Sequence, residues 1–261
     1  MATVLSAPPR HDTDYARDDV RRLRSDLALA LRAAAYHALG EGVCNHFSVA
    51  LPDGSDRFLI NPRGFHWSEI GDDDIVMVDG DGAVLAGRHA VEPTAMFIHA
   101  AVHRLGKACV LHTHMPFASA LTRLEDPRVA AIGQTEMGFL DCIAYDDTYT
   151  GLAFDPAEGE RLAGVLGNES KVLFMANHGV LVVGVTVAEA YDCLYFLERA
   201  CQVQLYAMWT GRKLKQVAPA VVEHTLRQYA DAPLYGGRPA CEHHFAALKR
   251  LLDRREPDYS N

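Results

Sequence analysis

Four apolar residues, Ala108-Cys109-Val110-Leu111, run directly into His112-Thr113-His114-Met115-Pro116. A run this short and this apolar predicts a buried strand over Ala108–Leu111. Side chains alternate along a strand, so His112 and His114 leave its end on the same side. Two imidazoles pointing one way suit a divalent metal, which needs several neutral nitrogens converging on one point. The fold must therefore bring further ligands to this strand end. Among thirteen histidines the pair has a competitor. His99 and His103 are four apart, which puts them on one face of a helix.

The chain is 261 residues long, enough for a sizeable core, and its formal net charge is −9 with no basic stripe. That balance argues against nucleic acid and against anionic membranes as partners. No apolar run is long enough to span a bilayer. Residues 1–17 lack the apolar core of a signal peptide and read as a flexible lead-in. Six scattered cysteines without a CxxC pair read as reduced thiols of a cytoplasmic protein, which leaves no disulfide framework or cysteine-based zinc site.

Periodicity and turn residues divide the rest. Asp18 to Leu39 predicts an amphipathic helix, with Val20, Leu23, Leu27, Leu31 and Ala34 on one face and Gly40 as its stop. Cys44 to Leu51 and Arg57 to Ile60 form a hairpin around Pro52-Asp53-Gly54-Ser55; Ile75 to Val78 and Ala83 to Leu85 form another around Asp79-Gly80-Asp81-Gly82. Thr94 is the expected cap of a helix to about Leu105, and a short helix runs from Pro116 to Leu124. Asp155-Pro156 opens a helix ending near Gly167, and Ile143–Tyr145, Lys171–Met175 and Val180–Val183 are strand-like. Thr186 caps the longest helix, to about Thr210, and Ala240 to Arg254 is the last, after the loop Tyr235-Gly236-Gly237. With no repeat or linker, one α/β domain is expected.

His178 sits in the turn Ala176-Asn177-His178-Gly179, between two of these strands. Three histidines from two strand ends complete a three-nitrogen site with an open coordination position, the layout of a catalytic metal. The HTH of His112–His114 and the NHG of Asn177–Gly179 resemble the metal motifs of the class II aldolase/adducin family. Matching features recur in order: Asn45-His46-Phe47-Ser48, the Asn61-Pro62-Arg63-Gly64 loop, the Asp-Gly hairpin, the helix before HTH and the long helix after NHG. The resemblance spans roughly Asp18 to Thr210.

It implies an α/β/α sandwich with a central, mostly antiparallel sheet flanked by helices, over residues 18–261 with a C-terminal helical extension. It also implies a homotetramer acting on a small molecule, and His112, His114 and His178 as ligands of one divalent ion per subunit. The segment Ala90-Val91-Glu92-Pro93-Thr94 departs from that of the sugar-phosphate aldolases: their catalytic glutamate has only Glu92, a few residues displaced, as a counterpart, and their phosphate-binding threonine and serines are missing. The chain looks closer to the metal-dependent decarboxylase branch. The expectation is a lyase that breaks a C–C bond of a carboxylated hydroxy, keto or aromatic substrate through a metal-stabilised enolate. Arg63, His46 and Asn61 would hold the substrate, and Glu92 or a tyrosine (Tyr145, Tyr149 or Tyr235) would return the proton. Three neutral histidines suit zinc, and an added carboxylate moves the preference towards manganese or iron. The alternatives are an aldolase-like non-heme iron oxygenase and a silent adducin-like interaction module.

Overall fold

The computed structural model describes residues 13–231 and 237–260. Its strands are β1 (His46–Ala50), β2 (Arg57–Ile60), β3 (Val76–Asp79), β4 (Val84–Ala86), β5 (Cys109–Thr113), β6 (Ile143–Asp146), β7 (Val172–Met175) and β8 (Gly179–Gly184). They form one sheet in the order β4-β3-β2-β1-β5-β8-β7-β6. Every neighbouring pair is antiparallel except β6 and β7. The helices are α1 (Asp18–Tyr36), α2 (Pro93–Arg104), α3 (Pro116–Leu121), α4 (Gln134–Met137), α5 (Pro156–Leu166), α6 (Val187–Trp209), α7 (Pro219–Ala230) and α8 (Ala240–Arg255).

Strand alternation sorts the side chains onto two faces. Phe47, Val49, Cys109, Leu111, Phe174, Val180 and Val182 face the layer of α1, α6 and α8, where Leu27, Leu31, Leu194, Leu197 and Leu252 are buried. Full burial of a leucine such as Leu31 contributes about 1.5–3 kcal/mol. Val110, Leu173, Leu181 and Val183 face α2 and α5, against Ile98, Val102 and Leu162. His112 follows Val110 by two, so it emerges on the α2–α5 side. β5 is central, between β1 and β8, and antiparallel pairing brings the start of each partner strand to its histidine end. His46 lies opposite His112, and Val180 lies opposite Thr113.

Several boundaries differ from the sequence reading. α1 stops at Tyr36, because Ala38 takes a left-handed backbone (φ 56°). The Leu39 and Ala38 amides return to the Ala34 and Ala35 carbonyls, a Schellman stop made before Gly40 is reached. Glu92, not Thr94, occupies the cap position of α2, and Pro93 is its first residue. α3 ends at Leu121 rather than Leu124. The sequence reading places no helix over α7, although Val222, Leu226 and Tyr229 recur there at helical spacing; none of its residues is buried. Thr13–Ala16, assigned by sequence to the lead-in, forms a 3-10 turn in which the Tyr15 hydroxyl donates to the Ile75 carbonyl. The Arg24 guanidinium sits 4.1 Å over the Tyr15 ring. The remainder of the lead-in, residues 1–12, lies outside the described residues, as do Tyr235 and Gly236. No helix among the described residues is long and apolar enough to cross a membrane.

Candidate metal centre

The His112 and His114 rings are 5.0 Å apart between centres, and each is 4.9 Å from the His178 ring. Each residue offers one ligand atom, and all three lie within 4.8 Å of one another. They are the one such group of histidine, cysteine or carboxylate ligands among the described residues. His178 reaches the group from the turn between β7 and β8. Asn177 turns the chain there with φ 56°, a conformation asparagine tolerates better than most residues. Gly179 then passes so close to β5 that an added Cβ would lie 2.6 Å from the Thr113 carbonyl oxygen and 2.7 Å from His114 Cδ2. The glycine of the NHG motif is therefore a demand of close approach.

The rings are oriented for a metal. His112 Nδ1 donates to the Val180 carbonyl at 2.9 Å, which leaves Nε2 unprotonated in the neutral ring. His114 Nδ1 bonds the Glu41 carboxylate, and its Nε2 is buried without a protein partner among the described residues. Imidazoles held through one nitrogen by a carbonyl or carboxylate are the usual support of metal-binding histidines. Burial, and then the neighbouring imidazoles, hold His112 well below the ordinary histidine range. Burial, His114 and Arg123 bring His178 down to about 4. These two rings are neutral at pH 7, the form that binds metal. The donor set fits a divalent ion.

The group opens into a cavity of about 380 Å³ whose walls include Asn45, His46, Arg63, Glu92, His99 and Tyr149. A larger hollow, about 610 Å³, lies at the other end of the sheet beside Asp26, Ala108 and Lys249. Among the described residues no set of metal-competent side chains converges there, and the histidine cavity is the chemically equipped one.

Of the expected substrate contacts, His46 and Arg63 line the cavity, and so does Glu92. His46 is brought down to about 4 by burial and by His114. Arg63 Nε and the Glu92 carboxylate form an ion pair at 2.8 Å, and Glu92 is not a member of the metal group. Asn61 departs from the expectation. It is buried outside the cavity wall, and its side-chain oxygen accepts from the Phe47 amide at 2.8 Å, so it braces β1. Tyr145 is also held elsewhere, its hydroxyl accepting from the Val129 amide. Of the two candidate tyrosines among the described residues, Tyr149 is the one that lines the cavity.

Two residues were not assigned roles by sequence. Asn45, in a left-handed conformation (φ 81°), accepts from the His114 amide at 3.0 Å. Glu41 lies in a glycine-flanked turn where nothing local marks it as a partner of His114. Asn45, a residue type that tolerates φ > 0, is the local sign that the chain turns sharply before β1.

A model of the class II aldolase and adducin N-terminal domain matches residues 25–205. The chain belongs to the class II aldolase/adducin family. A putative aldolase class 2 protein of Caulobacter vibrioides is 33% identical over 245 residues, 91% of each chain. Decarboxylase NovR of Streptomyces niveus is 30% identical over 250 residues, 94% of this chain and 90% of its own. An aldolase II superfamily protein from Pseudomonas syringae superimposes with a TM-score of 0.87 at 32% identity, covering 95% of this chain and 99% of that one. The family membership agrees with the fold and supports a metal-dependent, lyase-type function.

Proposed function

We propose that the protein is a divalent-metal-dependent carbon–carbon lyase, acting by decarboxylation or retro-aldol cleavage on a small carboxylated hydroxy, keto or aromatic substrate. The observation that carries this reading is the convergence of His112, His114 and His178 on one wall of the cavity. A divalent ion held by these three residues would supply Lewis-acid stabilisation of the negative charge left on the substrate when CO2 or an aldehyde departs. Zinc suits the all-nitrogen donor set best, with manganese next.

Arg63 is the anchor for a substrate carboxylate, since its planar guanidinium matches carboxylate geometry. In the free protein Glu92 occupies that role through its ion pair with Arg63. An incoming carboxylate takes over the pairing and releases Glu92 to carry a proton, with Tyr149 as the other donor within the cavity wall. His46, neutral beside the ligands, packs against the substrate body. The exposed Leu152, Phe154 and Trp209 support assembly with further copies, a homotetramer in this reading. The free thiols support a reducing, cytoplasmic setting.

The test is elemental analysis of the native protein, followed by anaerobic assay of carboxylated aromatics and hydroxy acids. One stoichiometric divalent ion and turnover without oxygen are expected. Turnover that requires both iron and dioxygen would assign the protein to the oxygenase reading. If no stoichiometric metal is found, and His114→Ala changes only stability, the lyase reading gives way to an interaction module.

A further inference from the structure

The pair His99 and His103, which rivals the HTH motif in the sequence, forms a hydrogen-bonded chain whose direction can be read. His103 Nδ1 lies 2.7 Å from the Lys107 carbonyl oxygen, which can only accept, so this nitrogen carries the proton. Burial brings His103 down to about 4, so at neutral pH the ring has one proton and its Nε2 is an acceptor. Ser48 Oγ, 2.7 Å away, therefore donates to it. With its proton committed, Ser48 Oγ accepts from His99 Nδ1 at 2.6 Å. His99 is also held neutral, first by burial and then by His46 and His103. Its Nε2 is consequently a bare lone pair.

That nitrogen is buried and has no protein partner among the described residues, while His99 itself is 1% exposed and lines the metal-centre cavity. The two nitrogens of an imidazole diverge, so with Nδ1 turned to Ser48, Nε2 is turned away from it. Leaving a buried acceptor unmatched is costly, so an atom of this kind calls for a hydrogen-bond donor from outside the protein, a water or a ligand. Asn45 makes the same point with opposite sign. Its Oδ1 accepts from the His114 amide, which identifies Nδ2 as the other atom, and Nδ2 is a buried donor without a partner in the same cavity wall.

We propose that His99 presents an unprotonated, hydrogen-bond-accepting Nε2 to the cavity and selects a ligand that offers a neutral hydroxyl at that point. The inference rests on the cavity being the substrate site, as proposed above, and adds a second polar determinant to the metal and Arg63. A carboxylate or phosphate oxygen placed against Nε2 would face one lone pair with another. An alcohol or phenol supplies the missing proton. Ser48 and His103 act as positioning residues: they decide which nitrogen of His99 carries hydrogen, without touching the ligand.

The experiment uses the full chain with 15N-labelled histidines, the His99 resonances being assigned by their loss in His99→Phe. At neutral pH His99 and His103 are expected as Nδ1–H rings with non-protonated Nε2. Phenol and 4-hydroxybenzoate should shift His99 Nε2 towards a hydrogen-bonded value, and anisole and 4-methoxybenzoate should not. The hydroxy compound should bind about tenfold more tightly than its methyl ether, the worth of one matched buried hydrogen bond. In Ser48→Ala the direction is released, His99 can carry its proton on Nε2, and the preference should fall to about one or invert. A wild-type His99 protonated at Nε2, a His99 nitrogen that no hydroxylated probe moves, or an unchanged preference in Ser48→Ala would overturn the proposal. The tautomer readout needs neither metal nor turnover, so it stands or fails separately from the lyase reading.

Discussion

The Glu41 carboxylate bonds His114 Nδ1 from a turn that precedes β1, distant in sequence and adjacent in space. Glu41 is itself exposed, with 64% of its side chain open to solvent, so its partner matters to His114 more than to the core. Glu41→Gln and Glu41→Ala should therefore leave the fold intact and weaken metal affinity by roughly 10- to 100-fold, the usual effect of losing a supporting carboxylate. Competition against a chelator measures it. Unchanged affinity in Glu41→Ala would mean that the hydrogen bond does not support the metal site.

Gly179→Ala should disable the site from the backbone side. The added Cβ meets the Thr113 carbonyl and the His114 ring at distances no native contact shows, so β8 must shift or His114 must rotate. Either movement separates His114 from His178. Loss of stoichiometric metal is expected together with a destabilisation of roughly 1–3 kcal/mol. Elemental analysis and urea unfolding report the two effects; wild-type metal content in this variant would refute the close-approach argument.

Glu198 of α6 caps α3 from a distance. Its two carboxylate oxygens accept from the Phe117 and Ala118 amides, both at 2.8 Å, at the helix start that follows the HTH motif. The side chain is buried, and Glu198→Ala leaves two amides unmatched, that of Ala118 buried and that of Phe117 partly so, close to the histidine group. A loss of about 2–3 kcal/mol is expected, with Glu198→Gln, which retains one acceptor, losing less. Chemical denaturation of both variants would show the order.

Asp26 provides a pH-dependent test away from the site. Burial raises it from the usual carboxylate range to about 6, against the pull of Lys249 and Arg22. A raised folded pKa means that the folded state binds this proton more tightly. The stability it contributes is complete below the unfolded value near 4 and is lost as pH rises through about 6. At pH 7 the ionised, half-buried carboxylate is a penalty. Asp26→Asn should thus stabilise the protein by roughly 1–2 kcal/mol at pH 7, after allowance for its partial exposure, with the gain shrinking towards pH 4. Urea midpoints at the two pH values test this, and an equal gain at both would disprove it.

Much of the fold was legible because local rules and tertiary demands coincide. The two hairpins, the strand before His112, the caps at Asp155 and Thr186 and the long α6 all carry turn residues, cap residues or periodic apolar positions that encode them directly. α7 carries only a short apolar stripe, Val222, Leu226 and Tyr229, and none of its residues is buried, so little packing reinforces that period. The end of α1 was misplaced because a Schellman stop formed on Ala38, a residue with no preference for that conformation.

His112, His114 and His178 were readable as a set, because strand alternation and a glycine-closed turn are local facts and the family motif joins them. What surrounds them was decided by packing. Asn61 and Arg63 share one loop, yet one braces β1 from inside and the other faces the cavity, since only the three-dimensional course of the loop separates them. The Glu41–His114 bond, the Arg63–Glu92 pair and the Ser48 link between His99 and His103 all join residues brought together by sheet order. Sequence specifies which side chains exist and which way a strand turns them. The direction of a hydrogen bond, and so the nitrogen on which a buried histidine keeps its proton, is set only by partners that the tertiary fold delivers.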